Sequence, residues 1–189
     1  MSELAAMYQQ VILDAAKHPV GKTLDPALAD SDPSPSSPAD VRMVEPGPDI
    51  RVVEPGREAT DGRNPRTVGT SHQYNPICGD EITLRVVVDH DHIADVQWMG
   101  QGCSISQASA SIMVGLTQGS TVASAQHLDS LFHDLMNSRG KGLENPADED
   151  ALEDANAFVG TSLFPARIKC ALLGWAALKD ALLRAGVTL

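Results

Sequence analysis

The chain has 189 residues, of which 42% are apolar and 21% charged, and a formal net charge of -11. That is the size and make-up of one domain with a sizeable core. The acidic balance excludes a nucleic-acid binder, which needs a basic surface to displace counterions, and a polybasic membrane anchor; no run approaches the roughly 20 apolar residues of a membrane span.

The start of the chain, MSELAAMYQQ, has an early Glu and no basic or long apolar leader, so the cytoplasm is the expected compartment. Leu4, Met7, Tyr8, Val11, Ile12 and Ala15 repeat at helical spacing and predict one amphipathic helix over 1–19. Ser2 suits its N-cap, and Pro19 ends it. Nine of the twelve prolines fall between Pro19 and Pro65, and no Phe, Trp or Tyr lies between Tyr8 and Tyr74. Residues 20–71 therefore read as a Pro-rich, partly irregular insertion. Inside it, Val41–Gly47 is echoed by Ile50–Gly56. Two copies suggest a local extended ribbon and are too few for a solenoid.

A core of 72–189 follows. Ile82, Leu84, Val86 and Val88 share one face of a strand; Ala94, Val96 and Trp98 mark a second after the turn at His90-Asp91-His92. This is a β-hairpin, with room for a third strand. Helices are predicted from Ser104 or Ser106 to Thr117, from Thr121 through Met136, over Asp148–Phe158, and from Pro165 to a C-cap at Gly186. The fold class is α+β, a small antiparallel sheet packed against several helices in a single domain.

Three cysteines cannot pair completely, so metal, chemistry or core filling comes before cross-links. Cys78 and Asp80 flank Gly79 in a turn before the hairpin, and Cys103 follows Gly100-Gln101-Gly102 after it. A hairpin returns to the end where it began, so these groups meet. Cys170, one turn into the last helix, is expected near the helix start, where the dipole favours a thiolate. Cys78, Asp80, Cys103 and Cys170 then offer four anionic donors that suit tetrahedral zinc, or an iron–sulfur cluster with one non-cysteine ligand. Arg167 and Lys169 flank Cys170 and offset part of the charge. His90 and His92 read as exposed turn residues, Trp98 and Trp175 as core, and Ser104–Ser111 as small residues for close helix packing.

Three stretches carry a resemblance: Asn75-Pro76-Ile77-Cys78-Gly79-Asp80; Gly100 through Ser111; and Phe164-Pro165-Ala166-Arg167-Ile168-Lys169-Cys170, continuing to Gly174-Trp175. With Met7–Asp14 and Lys17-His18-Pro19, they resemble the U-type iron–sulfur assembly proteins (IscU/NifU-like), over about 1–19 and 72–189. Scaffold members of that family carry His just before the last Cys, where this chain has Lys169. The SufU branch has extra residues between the second and third cysteines, as Phe132–Phe158 does here. Both features resemble the SufU branch. Two features depart from it: Ala15-Ala16 stands where His-Tyr is usual, and the long insertion is unusual.

The resemblance implies a zinc-dependent sulfurtransferase. It would accept persulfide sulfur from a cysteine desulfurase, a SufS-like pyridoxal-phosphate enzyme, and deliver it to a downstream iron–sulfur assembly scaffold. Cys78 would be the accepting thiolate, with Asp80, Cys103 and Cys170 holding zinc beside it. A histidine of the desulfurase would replace Cys78 on the metal, and Arg167 would guide the released thiolate. The alternative is a scaffold that builds and transfers a [2Fe–2S] cluster on the same residues. Neither reading implies nucleic acid or membrane.

Overall fold

Alternating β-branched and aliphatic residues build the central strand of the sheet. The computed structural model describes residues 3–25 and 66–188. Within them β1 (Thr67–Asn75), β2 (Asp80–Asp89) and β3 (His92–Gln101) form one antiparallel sheet in that order. Asn75 pairs with Asp80, and Glu81 with Gln101, so the β1–β2 turn and the end of β3 lie at one edge. Ile82, Leu84, Val86 and Val88 are buried, while Thr83, Arg85 and Val87 are half-buried, as period-2 alternation requires. β3 departs from its expected face: Ile93 is buried and Ala94 exposed. The register shifts at Val87/Val88 and leaves Ala94 as the unpaired residue of a bulge.

β1 is the third strand, and it starts inside the span 20–71 assigned to the insertion. The other end of that span is also built in. Trp98 donates its backbone N–H to the Gly21 carbonyl (2.8 Å) and its indole N–H to the Val20 carbonyl (2.8 Å), and Leu24 N–H donates to the Trp98 carbonyl (3.2 Å). Val20–Leu24 is thus a strap along the outer edge of β3, whose start is bonded by Gly119 and Ser120. Ser2 and the repeat over 41–56 lie outside the described residues.

The helices are α1 (Glu3–Lys17), α2 (Ser104–Thr117), α3 (Val122–Asn137), α4 (Pro146–Leu152), a 3₁₀ segment (Glu153–Leu163), α5 (Pro165–Ala171) and α6 (Leu173–Arg184). α1 buries Ile12 and leaves Leu4 and Met7 exposed. Thr121 caps α3 by accepting from Ser124 N–H at 3.1 Å. The acidic helix expected over Asp148–Phe158 is divided where Glu153 adopts φ 44°, which an α-helix cannot continue through. The single last helix is divided too. Leu172 breaks it, and the buried Ser109 hydroxyl donates to the Ala171 carbonyl at 2.6 Å beside the break. α6 ends in a Schellman motif at Gly186, with Val187 N–H on the Leu182 carbonyl and Gly186 N–H on that of Leu183.

α6 lies across β1 and β2, and α2 packs against α1 and α6. Phe132 stacks on Trp175 (centroids 4.9 Å) and meets Phe158 edge-on (5.7 Å), joining α3, the 3₁₀ segment and α6. Trp98 and Trp175 are both buried core residues. Among the described residues no helix is long and apolar enough to cross a membrane.

Candidate metal centre

The β1–β2 turn is made by Asn75. Its side-chain oxygen accepts from Ile77 N–H (3.1 Å) and its carbonyl accepts from Gly79 N–H (2.9 Å). Gly79 takes φ +72°, a conformation that side chains resist, and a Cβ there would meet nothing within 4 Å. Cys78 is therefore presented on an exposed bend. Asp80, one pleat later and first in β2, is buried at 2% exposure.

Cys103 is the N-cap residue of α2, in place of the expected Ser104 or Ser106. Its backbone N–H donates to Asp80 Oδ1 at 3.0 Å and its Sγ lies 3.5 Å from Asp80 Oδ2. Ser106 Oγ donates to the Cys103 carbonyl at 3.0 Å. Cys170 comes from below, buried at 2% exposure, with its Sγ 3.0 Å from that of Cys78. Asn75 Nδ2 donates to the Cys170 sulfur at 3.6 Å.

Ligand atoms of Cys78, Asp80 and Cys170 all lie within 4.8 Å of one another. Cys103 stands outside that tight group, with its sulfur against Asp80 Oδ2. Arg167 is not drawn into the centre. It is exposed, its guanidinium lies 5.1 Å from the Phe164 ring centroid, and it forms no ion pair or hydrogen bond with the four acidic groups among the described residues. Lys169 is exposed as well. Among the described residues the imidazoles of His90, in the β2–β3 turn, and His92, first in β3, bond their neighbours Asp89 and Asp91.

Cys170 does not enjoy a helix N-terminus. The break at Leu172 leaves it in the last turn of the seven-residue α5. Burial, the Cys78 thiol and the Asp80 carboxylate together push its thiol well above the usual cysteine range. A bound cation reverses that balance, because a coordinating thiol is deprotonated outright. The donor set fits a divalent soft ion: two sulfurs and a buried carboxylate that has no ion-pair partner among the described residues. Asn75, which binds the loop on one side and the Cys170 sulfur on the other, is a supporting residue that ligand spacing alone misses. An Asn directly before Pro at a turn is the signal for it.

Elsewhere, a cleft of about 210 Å³ between α3 and α6 is lined by Asp129, Trp175 and Lys179, among others, and does not border this centre.

Comparison with known proteins places these features. Residues 57–171 match the family model described as NifU-like N terminal domain. The zinc-dependent sulfurtransferase SufU of Bacillus subtilis (strain 168) is 41% identical over 62% of this chain and 80% of its own. The iron–sulfur cluster assembly scaffold protein IscU of Streptococcus pyogenes serotype M1 is 42% identical over 58% of this chain and 66% of its own. Among solved structures, an iron–sulfur cluster assembly scaffold protein for the SUF system from Fervidobacterium islandicum AW-1 superposes with a TM-score of 0.55 and 33% identity, over 60% of this chain and 79% of that one.

Proposed function

Because the chain belongs to the family of NifU-like N-terminal domains, we propose that it serves iron–sulfur cluster assembly as a zinc-dependent sulfurtransferase, taking persulfide sulfur from a cysteine desulfurase and delivering it onward. The observation that carries this reading is the contrast between its thiols. Cys78 is exposed on a glycine bend; Asp80 and Cys170 beside it are buried, and Cys103, though exposed, is tied by its backbone N–H to Asp80. A centre built only for structure has no need of one exposed, loosely supported ligand.

When bound, zinc would keep Cys78 as a thiolate at neutral pH; Asp80, Cys103 and Cys170 would hold the ion. The Cys78 thiolate attacks the outer sulfur of the donor persulfide. The S–S bond breaks, its electron pair leaves with the donor cysteine as thiolate, and the persulfide now stands on Cys78. One sulfur moves and no outside oxidant or reductant is consumed. Arg167, at the rim on α5, would meet the incoming donor.

Tyr74 near the end of β1, Ile77 on the Cys78 loop, and Leu163 and Phe164 ahead of α5 each expose more than half of their surface. Such apolar exposure on the segments that carry two of the thiols supports a protein donor that docks there. We assign that donor as a pyridoxal-phosphate desulfurase, and the recipient as an assembly scaffold in the same compartment, the cytoplasm.

The test is desulfurase turnover of cysteine with and without the protein. Turnover should rise with the intact chain and lose that rise with Cys78→Ala. Unchanged turnover with the intact chain overturns the reading. The relatives named as scaffolds support a second outcome: a stable cluster that absorbs in the visible, formed from iron and sulfide and passed to an apo-acceptor, would make the chain a scaffold instead.

A further inference from the structure

Asp80 is buried without an ion pair among the described residues, yet a cation reaches it through amides. Lys22 Nζ donates to Gln107 Oε1 at 2.8 Å. Gln107 Nε2 donates to the Gly102 carbonyl at 2.8 Å. That carbonyl and the Cys103 N–H belong to one peptide group, and the N–H donates to Asp80 Oδ1 at 3.0 Å. Three hydrogen bonds thus run head to tail from an ammonium to a carboxylate. Each donor is polarised by the one before it, so the bond to Asp80 is stronger than an isolated amide would make. Lys22 is itself fixed, since it belongs to the strap on β3 and its ammonium lies 5.2 Å from the Trp98 ring centroid.

We infer that Lys22 and Gln107 are positioning residues of the metal centre. Gln107, itself bonded by Lys22, grips the Gly102–Cys103 peptide by its oxygen while Asp80 grips it by its nitrogen, and the two residues so set both the carboxylate and the Cys103 thiol. The inference rests on the metal reading of the site. It makes a prediction opposite in sign to simple charge. Removing a nearby cation through space should tighten binding of a divalent ion, whereas breaking the relay should weaken it.

The experiment uses the full chain, with zinc affinity read by competition against a chromophoric chelator and geometry read from the cobalt(II) absorption bands. Lys22→Met and Gln107→Met should each lower zinc affinity about tenfold and change the cobalt spectrum, as losses of outer supporting bonds do. The double variant should be no weaker than Gln107→Met alone, because the two act in series. Lys22→Arg, which keeps the donor, should stay near wild type. Tighter binding in Lys22→Met, additive losses, or a lower metal-free melting temperature with unchanged affinity and cobalt spectrum would each overturn the relay. If the wild-type chain takes up neither zinc nor cobalt, the metal reading fails and the relay with it. If wild type binds and the variants match it, the relay alone fails.

Discussion

Gly102→Ala tests how closely the centre is built. A Cβ at this position would lie 2.5 Å from Ser106 Oγ, 2.9 Å from Asp80 Cγ and 3.0 Å from Asp80 Cβ. Non-bonded carbons settle at about 3.5–4.0 Å, so the Asp80 side chain must retreat by about 0.6 Å or more. The Cys103 N–H bond to Asp80 Oδ1 is 3.0 Å. The same retreat along it gives about 3.6 Å, past the useful range. Losing a hydrogen bond to a charged acceptor costs about 1.5–3 kcal/mol, which reads as roughly a ten- to hundredfold loss of zinc affinity. Chelator competition measures this directly. Gly115→Ala in α2 is the control, because a Cβ there meets nothing within 4 Å; affinity should not move. Wild-type zinc affinity in Gly102→Ala would refute the reasoning, since it would mean that Asp80 need not sit where the Cys103 N–H holds it.

Other expectations follow from single contacts. Ser109→Ala removes the donor to the buried Ala171 carbonyl. It should lower the unfolding free energy by about 1–3 kcal/mol, seen as a lower urea midpoint at unchanged slope; an unchanged midpoint would mean that the break at Leu172 needs no such support. The Asp129 carboxylate, by its hydrogen bond and charge, raises the His133 pKa against the opposing effect of burial. A raised folded pKa stabilises fully below the unfolded value of about 6.5 and fades as pH climbs through the folded one. His133→Gln should therefore cost more at pH 5.5 than at pH 8.5. With the imidazole 44% exposed, the difference is a fraction of about 1 kcal/mol. Equal costs at both pH values would discard the linkage.

The elements written in local pattern are those that the structure repeats: β2, the turn at His90-Asp91 (His92, expected in it, opens β3), the start of α3 near Thr121 and the Gly186 cap. What local pattern hides is held by distant partners. β1 escaped definition because its buried positions include Thr70, Ser71 and Asn75, with Val68 and Tyr74 turned outward. That is a strand inverted against the usual hydrophobic alternation: Gly69 abuts the backbone of Ala181 and the Ser71 hydroxyl donates to Asp180 of α6 at 2.7 Å, so small and polar residues face the helix. The apolar run after Pro165 reads as one helix, and the carbonyl beside its break is bonded by a hydroxyl from Ser109, 62 positions away. That break puts Cys170 at a helix end rather than a helix start, so the expected dipole help is absent. Serines looked like better caps for α2 than a cysteine; Cys103 takes the position with its own N–H bound to Asp80 on β2. The meeting of the turn at 76–79 with the chain after β3 follows from hairpin geometry alone. Which sulfur faces which oxygen does not.

The three thiols differ in exposure and in how their backbone is held, and the proposed function rests on that difference. Cys170 is buried, bonded by Asn75, and followed directly by the Ala171 carbonyl that Ser109 holds. Cys103 is exposed, but its backbone is tied to Asp80 and Ser106. Cys78 is exposed, its bend turns on Gly79, and among the described residues its sulfur has one hydrogen-bond partner, Cys170. Alkylation of the metal-free chain should rank them in that order of freedom, since attack needs an accessible thiolate. Mass spectrometry after brief iodoacetamide exposure should find Cys78 modified first, Cys103 next, and Cys170 only once the fold opens. The raised Cys170 pKa adds to its protection. Cys170 modified as fast as Cys78 in the folded chain would remove the physical ground for casting Cys78 as the sulfur acceptor, because the buried and exposed members of the pair would then be equally able to leave.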